Sequence, residues 1–189
     1  VWHAWSVPHM AWDESAIASS DGFDVRLAGV EIQQPRFGPD GQLWSVRDVT
    51  GWANVYRGDI AVVEEPFEHA GPTWGPGQRS YAIAPDGRQV AFARNEGGFG
   101  RLCLADLDTG EVRSVARGVH GHLTWVGSRL VALRSGARTP TQVVEYDTTT
   151  WDRTVLAVGP VAEWDRAVLV EPELVEWVGD EGAVVHGRR

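Results

Sequence analysis

Nine serines and six histidines are spread through this acidic chain, so the first question is whether any serine could act as a nucleophile. An acyl-transfer serine on a strained strand-to-helix turn needs Gly-x-Ser-x-Gly, which lifts the hydroxyl clear of its sheet. None of the nine serines has glycine two positions before it. Aspartates and histidines are present, but without an activated serine they perform no acyl transfer. All 17 basic residues are arginine, and the absence of lysine excludes a Walker-type phosphate loop, a Schiff-base enzyme and a Ser-Lys hydrolase. His120-Gly121-His122 puts two imidazoles at i and i+2, on one side if the segment is extended. A metal site would need a third ligand that the sequence does not identify. The pair therefore reads as loop or rim histidines, and no metal or cofactor is expected. Glu64, Glu65 and Glu68 gather carboxylates that could hold a substrate's free amino terminus, but a solvated loop is the safer reading.

The elements that would carry these groups are strands. In QPRFGPDGQLWSVRDVTGWANVYR (residues 34–57) two apolar runs are broken by Pro39-Asp40-Gly41, and the same punctuation returns as Pro85-Asp86-Gly87, 46 residues on from Asp40 to Asp86. Proline presets its own φ and glycine supplies a positive φ, so each Pro-Asp-Gly reads as a hairpin turn. The runs that follow, with Leu43, Trp44 and Val46 in one copy and Val90, Ala91 and Phe92 in the next, are nearly continuous and suit strands buried on both faces. A third copy, LTWVGSRLVALRS, keeps the layout without the turn. Repeats of roughly 40 to 50 residues with about four short strands each are the mark of β-propeller blades.

The expected fold is therefore all-β: a propeller fragment of about three full blades, near residues 34–65, 79–116 and 122–158, after a partial blade over 1–33. Residues 161–189 read as a linker and a closing hairpin turned at Gly179-Asp180-Glu181-Gly182. By blade alignment Gln34, Ser80 and His122 stand at equivalent positions, at the start of each innermost strand, where a polar side chain could meet a peptide or simply line a hydrated channel. The loop EEPFEHAGPTWGPGQ between the first two blades is long enough to be a functional surface or a packing wedge.

Composition narrows the partners. A net charge of −9 with no basic stripe argues against nucleic acid and anionic membranes. No apolar run approaches the ~20 residues of a membrane span, and a cytoplasmic location is expected. Cys103 is alone, so no intrachain disulfide can form, and its apolar neighbours in LCLADL make it a buried, inert thiol. The ten tryptophans read as packing between blades rather than as a ligand cage. The arginine, alanine, glycine and valine bias suggests a GC-rich bacterial genome.

Four segments, WSVPHMAWDES, QPRFGPDGQLWSVRDVTGWANVYR, AGPTWGPGQRSYAIAPDGRQVAF and EPELVEWVGDEGAVVHG, resemble in order the propeller portion of a prolyl oligopeptidase family serine peptidase. Bacterial acylaminoacyl-peptidase and dipeptidyl-peptidase-like members are the nearest in pattern. The resemblance implies that the last motif, with His186 in a structural place, hands over to an α/β-hydrolase domain whose triad would lie beyond Arg189. It also implies a non-catalytic role here, gating peptide substrates. Glu68 and its neighbours do not reproduce the paired glutamates with which dipeptidyl-peptidase members hold an amino terminus. A free-standing propeller module for binding or scaffolding is the alternative. With neighbours lost from both end blades, the isolated chain is expected to self-associate.

Overall fold

The computed structural model describes residues 1–22, 24–26, 28–160 and 168–189. Phe23 and Leu27 of the expected N-terminal strands, and residues 161–167 of the expected linker, lie outside the described residues. Five antiparallel sheets follow one another along the chain, and no α-helix occurs among the described residues. The first sheet holds β1 (Trp2–Ala4), β2 (Ala16–Ala18) and β3 (Asp24–Arg26). The second holds β4 (Ile32–Phe37), β5 (Leu43–Arg47), β6 (Asn54–Arg57) and β7 (Ile60–Ala61). The third holds β8 (Tyr81–Ile83), β9 (Gln89–Glu96), β10 (Phe99–Asp106) and β11 (Val112–Arg117). The fourth holds β12 (Val119–Val126), β13 (Arg129–Gly136), β14 (Thr139–Asp147) and β15 (Arg153–Val158), and a last hairpin pairs β16 (Leu174–Val178) with β17 (Val184–Arg188). In every sheet the strands lie side by side in chain order, which is the up-and-down meander of a propeller blade.

Local chemistry sets the turns. At the β4–β5 connection Gly38 N–H donates to Gln42 O (2.9 Å), Asp40 Oδ1 accepts from Gln42 N–H (3.1 Å), and Gly41 adopts φ 74°. The β8–β9 connection repeats this with Ala84 N–H to Gln89 O (2.8 Å), Arg88 N–H to Asp86 Oδ1 (3.0 Å) and Gly87 at φ 71°. Both glycines occupy the left-handed region that side chains avoid.

The third sheet shows why the sequence runs are continuous. Val90 and Phe92 of β9, with Cys103 and Ala105 of β10, pack with Trp44, Val46 and Val55 of the second sheet. The intervening Ala91, Leu102 and Leu104 pack with Leu123, Leu130, Val144 and Tyr146 of the fourth. Both faces are thus sealed by neighbours, and a period of two gives an unbroken apolar string. Trp44 and Phe92 are both buried, as their place after the turns implies. So is Cys103, whose thiol burial pushes up to about 11, keeping it protonated at neutral pH.

The tryptophans depart from the packing expectation. Among those described only Trp44 is buried, while Trp125 and Trp151 are half-buried and meet edge to face at 6.2 Å. Trp2, Trp5, Trp12, Trp52, Trp74 and Trp177 are exposed. The space between sheets is filled mainly by Val, Ala and Leu with Phe92, Tyr81, Tyr146 and Trp44, while Trp125 and Trp151 pack at the margin of the cluster between the third and fourth sheets.

β15 is exposed along its whole length and leaves Val155, Leu156 and Val158 uncovered. The β16–β17 hairpin is also exposed, and its turn runs through a 3-10 segment at Asp180–Gly182. His186 pairs there with Glu176 across the strands, Nδ1 to Oε1 2.9 Å. Arg188 ties the hairpin to the β9–β10 turn, lying 3.8 Å from the Phe99 ring centroid and donating to Gly97 O (2.9 Å).

Candidate functional site

The three aligned polar positions lie in or next to the first strand of each sheet, but only Ser80 stands at a strand's start. Gln34 lies in β4 and His122 in β12, each at a bulge, with φ 55° and 52°, and Ser80 immediately precedes β8. A side chain at positive φ costs on the order of 1 kcal/mol and persists only where its surroundings hold it. Gln34 is so held: its Oε1 accepts from Ser80 N–H (2.7 Å) and Ser80 Oγ (3.2 Å), and its carbonyl accepts from the Tyr81 hydroxyl (2.8 Å). Its Nε2 donates to Gln33 Oε1, and Gln33 Nε2 donates to Glu31 Oε1 and Gly71 O. Gln34 and Ser80 are therefore joined across two sheets, whereas His122 stands exposed on the next.

The bulge in β12 also separates the roles of its histidines. Regular alternation would have set His120 and His122 on one side, but the register shifts between Gly121 and Thr124. His120 is buried, His122 is exposed, and no cluster of metal-ligating side chains occurs among the described residues. His120 Nδ1 lies 2.8 Å from Gly118 O and Nε2 2.7 Å from the Tyr146 hydroxyl. Since a carbonyl only accepts, Nδ1 carries the proton and Nε2 accepts from Tyr146. Burial lowers the His120 pKa to about 4 and keeps the ring neutral.

Of the three glutamates only Glu64 is exposed as a solvated loop would have it, whereas Glu65 and Glu68 are built into a wedge between the second and third sheets. Glu68 Oε2 accepts from Ala53 N–H (2.8 Å), and Glu68 O accepts from Asn95 N–H (2.9 Å). Glu65 meets Arg94 (3.0 Å) and the fully buried His69, whose Nε2 lies 2.8 Å from Glu65 Oε1. His69 Nδ1 accepts from Val55 N–H (3.2 Å), so the proton sits on Nε2 and is donated to the carboxylate. Burial lowers the pKa of His69, partly offset by the Glu65 bond. For Glu65 burial acts upward, but the His69 bond and Arg94 outweigh it and hold the carboxyl below its usual range. Arg94 continues to Glu96, and Glu96 to Arg101 (3.1 Å). The contacts are across sheets, which is why a run of glutamates in sequence looked like surface.

Two cavities open beside this framework, and Trp12 lines both. The smaller, about 500 Å³, is bordered by Glu68, Ser80 and His120, with Glu31 and Asp48 as further carboxylates. Burial raises the Glu31 pKa, with Asp48 and Glu68 adding to the rise against bonds from Thr73 and Gln33. Arg94 and Arg101 line the same cavity but are paired with Glu65 and Glu96, so the remaining carboxylates leave a corner that suits a cation or an ammonium group. The larger, about 1030 Å³, is bordered by Gln34 and by the second half of the long loop, 73–79. Neither His69 nor Arg94 was distinguishable in the sequence, nor were the arginines that face the larger cavity. The one available signal was a tryptophan set among glycines and prolines in AGPTWGPGQ.

No protein-family model matches the chain, and no curated protein sequence does. Solved structures do. A puromycin hydrolase is similar over 99% of this chain and 31% of its own, at 28% identity and TM-score 0.82. A Mycobacterium tuberculosis puromycin-hydrolyzing peptidase is similar over 98% of this chain and 31% of its own, at 27% identity and TM-score 0.83. Prolyl oligopeptidase B from Galerina marginata shares the fold over 93% of this chain and 27% of its own, at 12% identity and TM-score 0.64. The structural neighbours are thus puromycin hydrolases and prolyl oligopeptidase family peptidases, and the chain is a propeller-like portion spanning about a third of their length.

Proposed function

We propose that the chain is the non-catalytic propeller region of a serine peptidase, gating the access of short peptides to an α/β-hydrolase active site outside it. The observation that carries this reading is the match to puromycin hydrolases over nearly the whole chain but only 31% of theirs, at TM-scores of 0.82 and 0.83. Gly-x-Ser-x-Gly is missing from the sequence, in keeping with chemistry done elsewhere. In this reading residues 1–160 form the blades, with a partial blade over 1–33 and full ones near 34–65, 79–116 and 122–158, and residues 161–189 lead into the hydrolase. The exposed Trp177, Val178 and Val184 of the last hairpin support a hand-over to further structure rather than a free-standing binding module. Glu31, Asp48 and Glu68 around the smaller cavity suit a peptide's amino terminus, with Ser80 beside them and Gln34 fixing Ser80.

The test is hydrolysis of aminoacyl and acyl-aminoacyl chromogenic substrates by the purified chain, alone and joined to the sequence downstream in its gene. The chain alone is expected to be inert. The longer protein is expected to cleave short peptides, to spare the same sequence inside a folded protein, and to lose activity to a serine-directed fluorophosphonate. Fluorophosphonate-sensitive turnover by the chain alone refutes the proposal.

A further inference from the structure

Four of the exposed tryptophans share one place. Trp2 and Trp5 from the first strand and its exit, Trp12 from the turn before β2, and Trp74 from the long loop all line the larger cavity. Trp74 is 78% exposed, yet its loop is fixed at both ends. Gly71 O accepts from Gln33 Nε2 (3.1 Å), the Thr73 hydroxyl donates to Glu31, and Ser80 N–H donates to Gln34 Oε1. Between these ends Trp74 N–H and Gln78 Nε2 both donate to Pro72 O, at 2.9 and 3.1 Å. An aromatic ring displayed on a pinned loop is pre-organised for contact, and ordering it on binding costs little.

The charge at this cavity runs against that of the chain. In a protein of net charge −9, Arg36 and Arg79 both line it, and among the described residues neither pairs with a carboxylate. Arg36 donates to Tyr81 O (2.9 Å) and lies 4.1 Å from the Tyr81 ring centroid, and Arg79 reaches only Thr124 Oγ1 at 3.4 Å. Burial lowers the Arg36 pKa, and the Arg79 guanidinium nearby adds to that lowering. His3 also lines the cavity, and its buried Nε2 has no hydrogen-bond partner. Burial lowers the His3 pKa, so the ring is neutral and able to donate one hydrogen bond. Unpaired guanidinium groups beside flat aromatic walls recognise a carboxylate attached close to an aromatic ring.

We propose that this cavity binds the aromatic C-terminal residue of a peptide, its ring among Trp2, Trp5, Trp12 and Trp74 and its carboxylate held by Arg36 and Arg79. The cavity volume, about 1030 Å³, accommodates a short peptide rather than a single small ion. The reading takes only the peptide class of ligand from the function proposed above.

The experiment is calorimetric and fluorescence titration of the full chain with acetyl-Gly-Phe, its amide acetyl-Gly-Phe-NH2, and acetyl-Gly-Leu. Acetylation removes the amine, so the acidic cavity plays no part. The aromatic acid is expected to bind about tenfold more tightly than the amide and the leucine acid. Trp74→Ala, at an exposed position whose loss leaves the fold intact, is expected to weaken the aromatic acid and its amide together. Arg79→Gln, also exposed, is expected to erase the difference between acid and amide while the amide binds as before. Equal binding of acid and amide, variants that bind like the parent, or no uptake at millimolar concentration each overturn the proposal, the last assigning these tryptophans to packing against other protein surface. Hydrolysis enters none of these arms, so a failure here leaves the peptidase reading to its own test.

Discussion

Lowering the pH from 7 to 5 should destabilise the fold through His120. The ring is buried with Nδ1–H bonded to Gly118 O and Nε2 accepting from Tyr146, an arrangement that only the neutral form makes. Its pKa is about 4 in the fold against 6.5 unfolded. The folded value is the lower one, so between the two the unfolded chain binds the extra proton and stability falls with pH. The contribution is complete above pH 6.5 and is lost progressively toward pH 4. Linkage over the stretch from pH 7 to 5 gives a loss of about 2 kcal/mol. The charged groups acting on the ring, Arg134 and Arg153, are guanidinium groups that do not deprotonate in proteins, and burial raises the pKa of the bonded Tyr146 hydroxyl, which stays neutral. His69 shifts in the same direction, so the measurement must be differential. Urea titrations of the parent and of His120→Phe at both pH values isolate the term, since phenylalanine cannot titrate. With an m-value of roughly 2 kcal/mol/M, the parent midpoint should fall by about 1 M more than that of the variant. Parallel losses in the two proteins would refute the assignment of a neutral, doubly bonded His120.

Phe92→Ala and Trp44→Ala each empty a fully enclosed site between the second and third sheets, and denaturant titration should show each destabilised by roughly 3 to 5 kcal/mol. Gly100→Ala should fail to fold well or shift the sheet, because a Cβ there would sit 2.5 Å from Gly118 O; melting by circular dichroism reads this directly. The uncovered Val155, Leu156 and Val158 of the unpaired edge β15 should drive the isolated chain to associate, seen as light scattering that rises with concentration and as dye binding. A monodisperse monomer without dye binding would overturn that last expectation.

What was legible in the sequence was what the chain encodes locally. Pro39-Asp40-Gly41 and Pro85-Asp86-Gly87 state their turns because Gly41 and Gly87 are the residues that positive φ selects. Trp44 and Phe92 were readable as core because they stand in largely apolar runs that follow the turns, with Leu43 and Val46 around one and Val90, Ala91 and Ala93 around the other. Gln34 and His122 sit at positive φ without being residues that local sterics choose, and for Gln34 the reason is distant: Tyr81 and Ser80 on the next sheet hold it. The same holds for Glu65, which becomes structural through Arg94, 29 residues away. Such constraints are set by the angle between sheets, which no short window of sequence contains.

The tryptophans mark where residue type stops being informative and backbone context takes over. A Trp inside a strand has its side fixed by parity, and since both faces of β5 are buried Trp44 is enclosed on the face it shares with Arg36 and Arg57, its neighbours across the sheet. Trp74 stands in GPTWGPG, where glycine and proline prevent a strand ladder and no parity applies. A ring of that size on a glycine and proline loop cannot be buried by its own sheet. It either stays wet, as here, or is covered by something that comes to it. The hydrogen bonds that pin both ends of that loop, from Gln33, Thr73 and Ser80, hold the ring in one place rather than leaving it to fold back on the nearest apolar surface. A chain that spends buried glutamine and glutamate side chains on fixing an exposed tryptophan has built a surface for contact, and the two unpaired arginines beside it set the charge of what fits there.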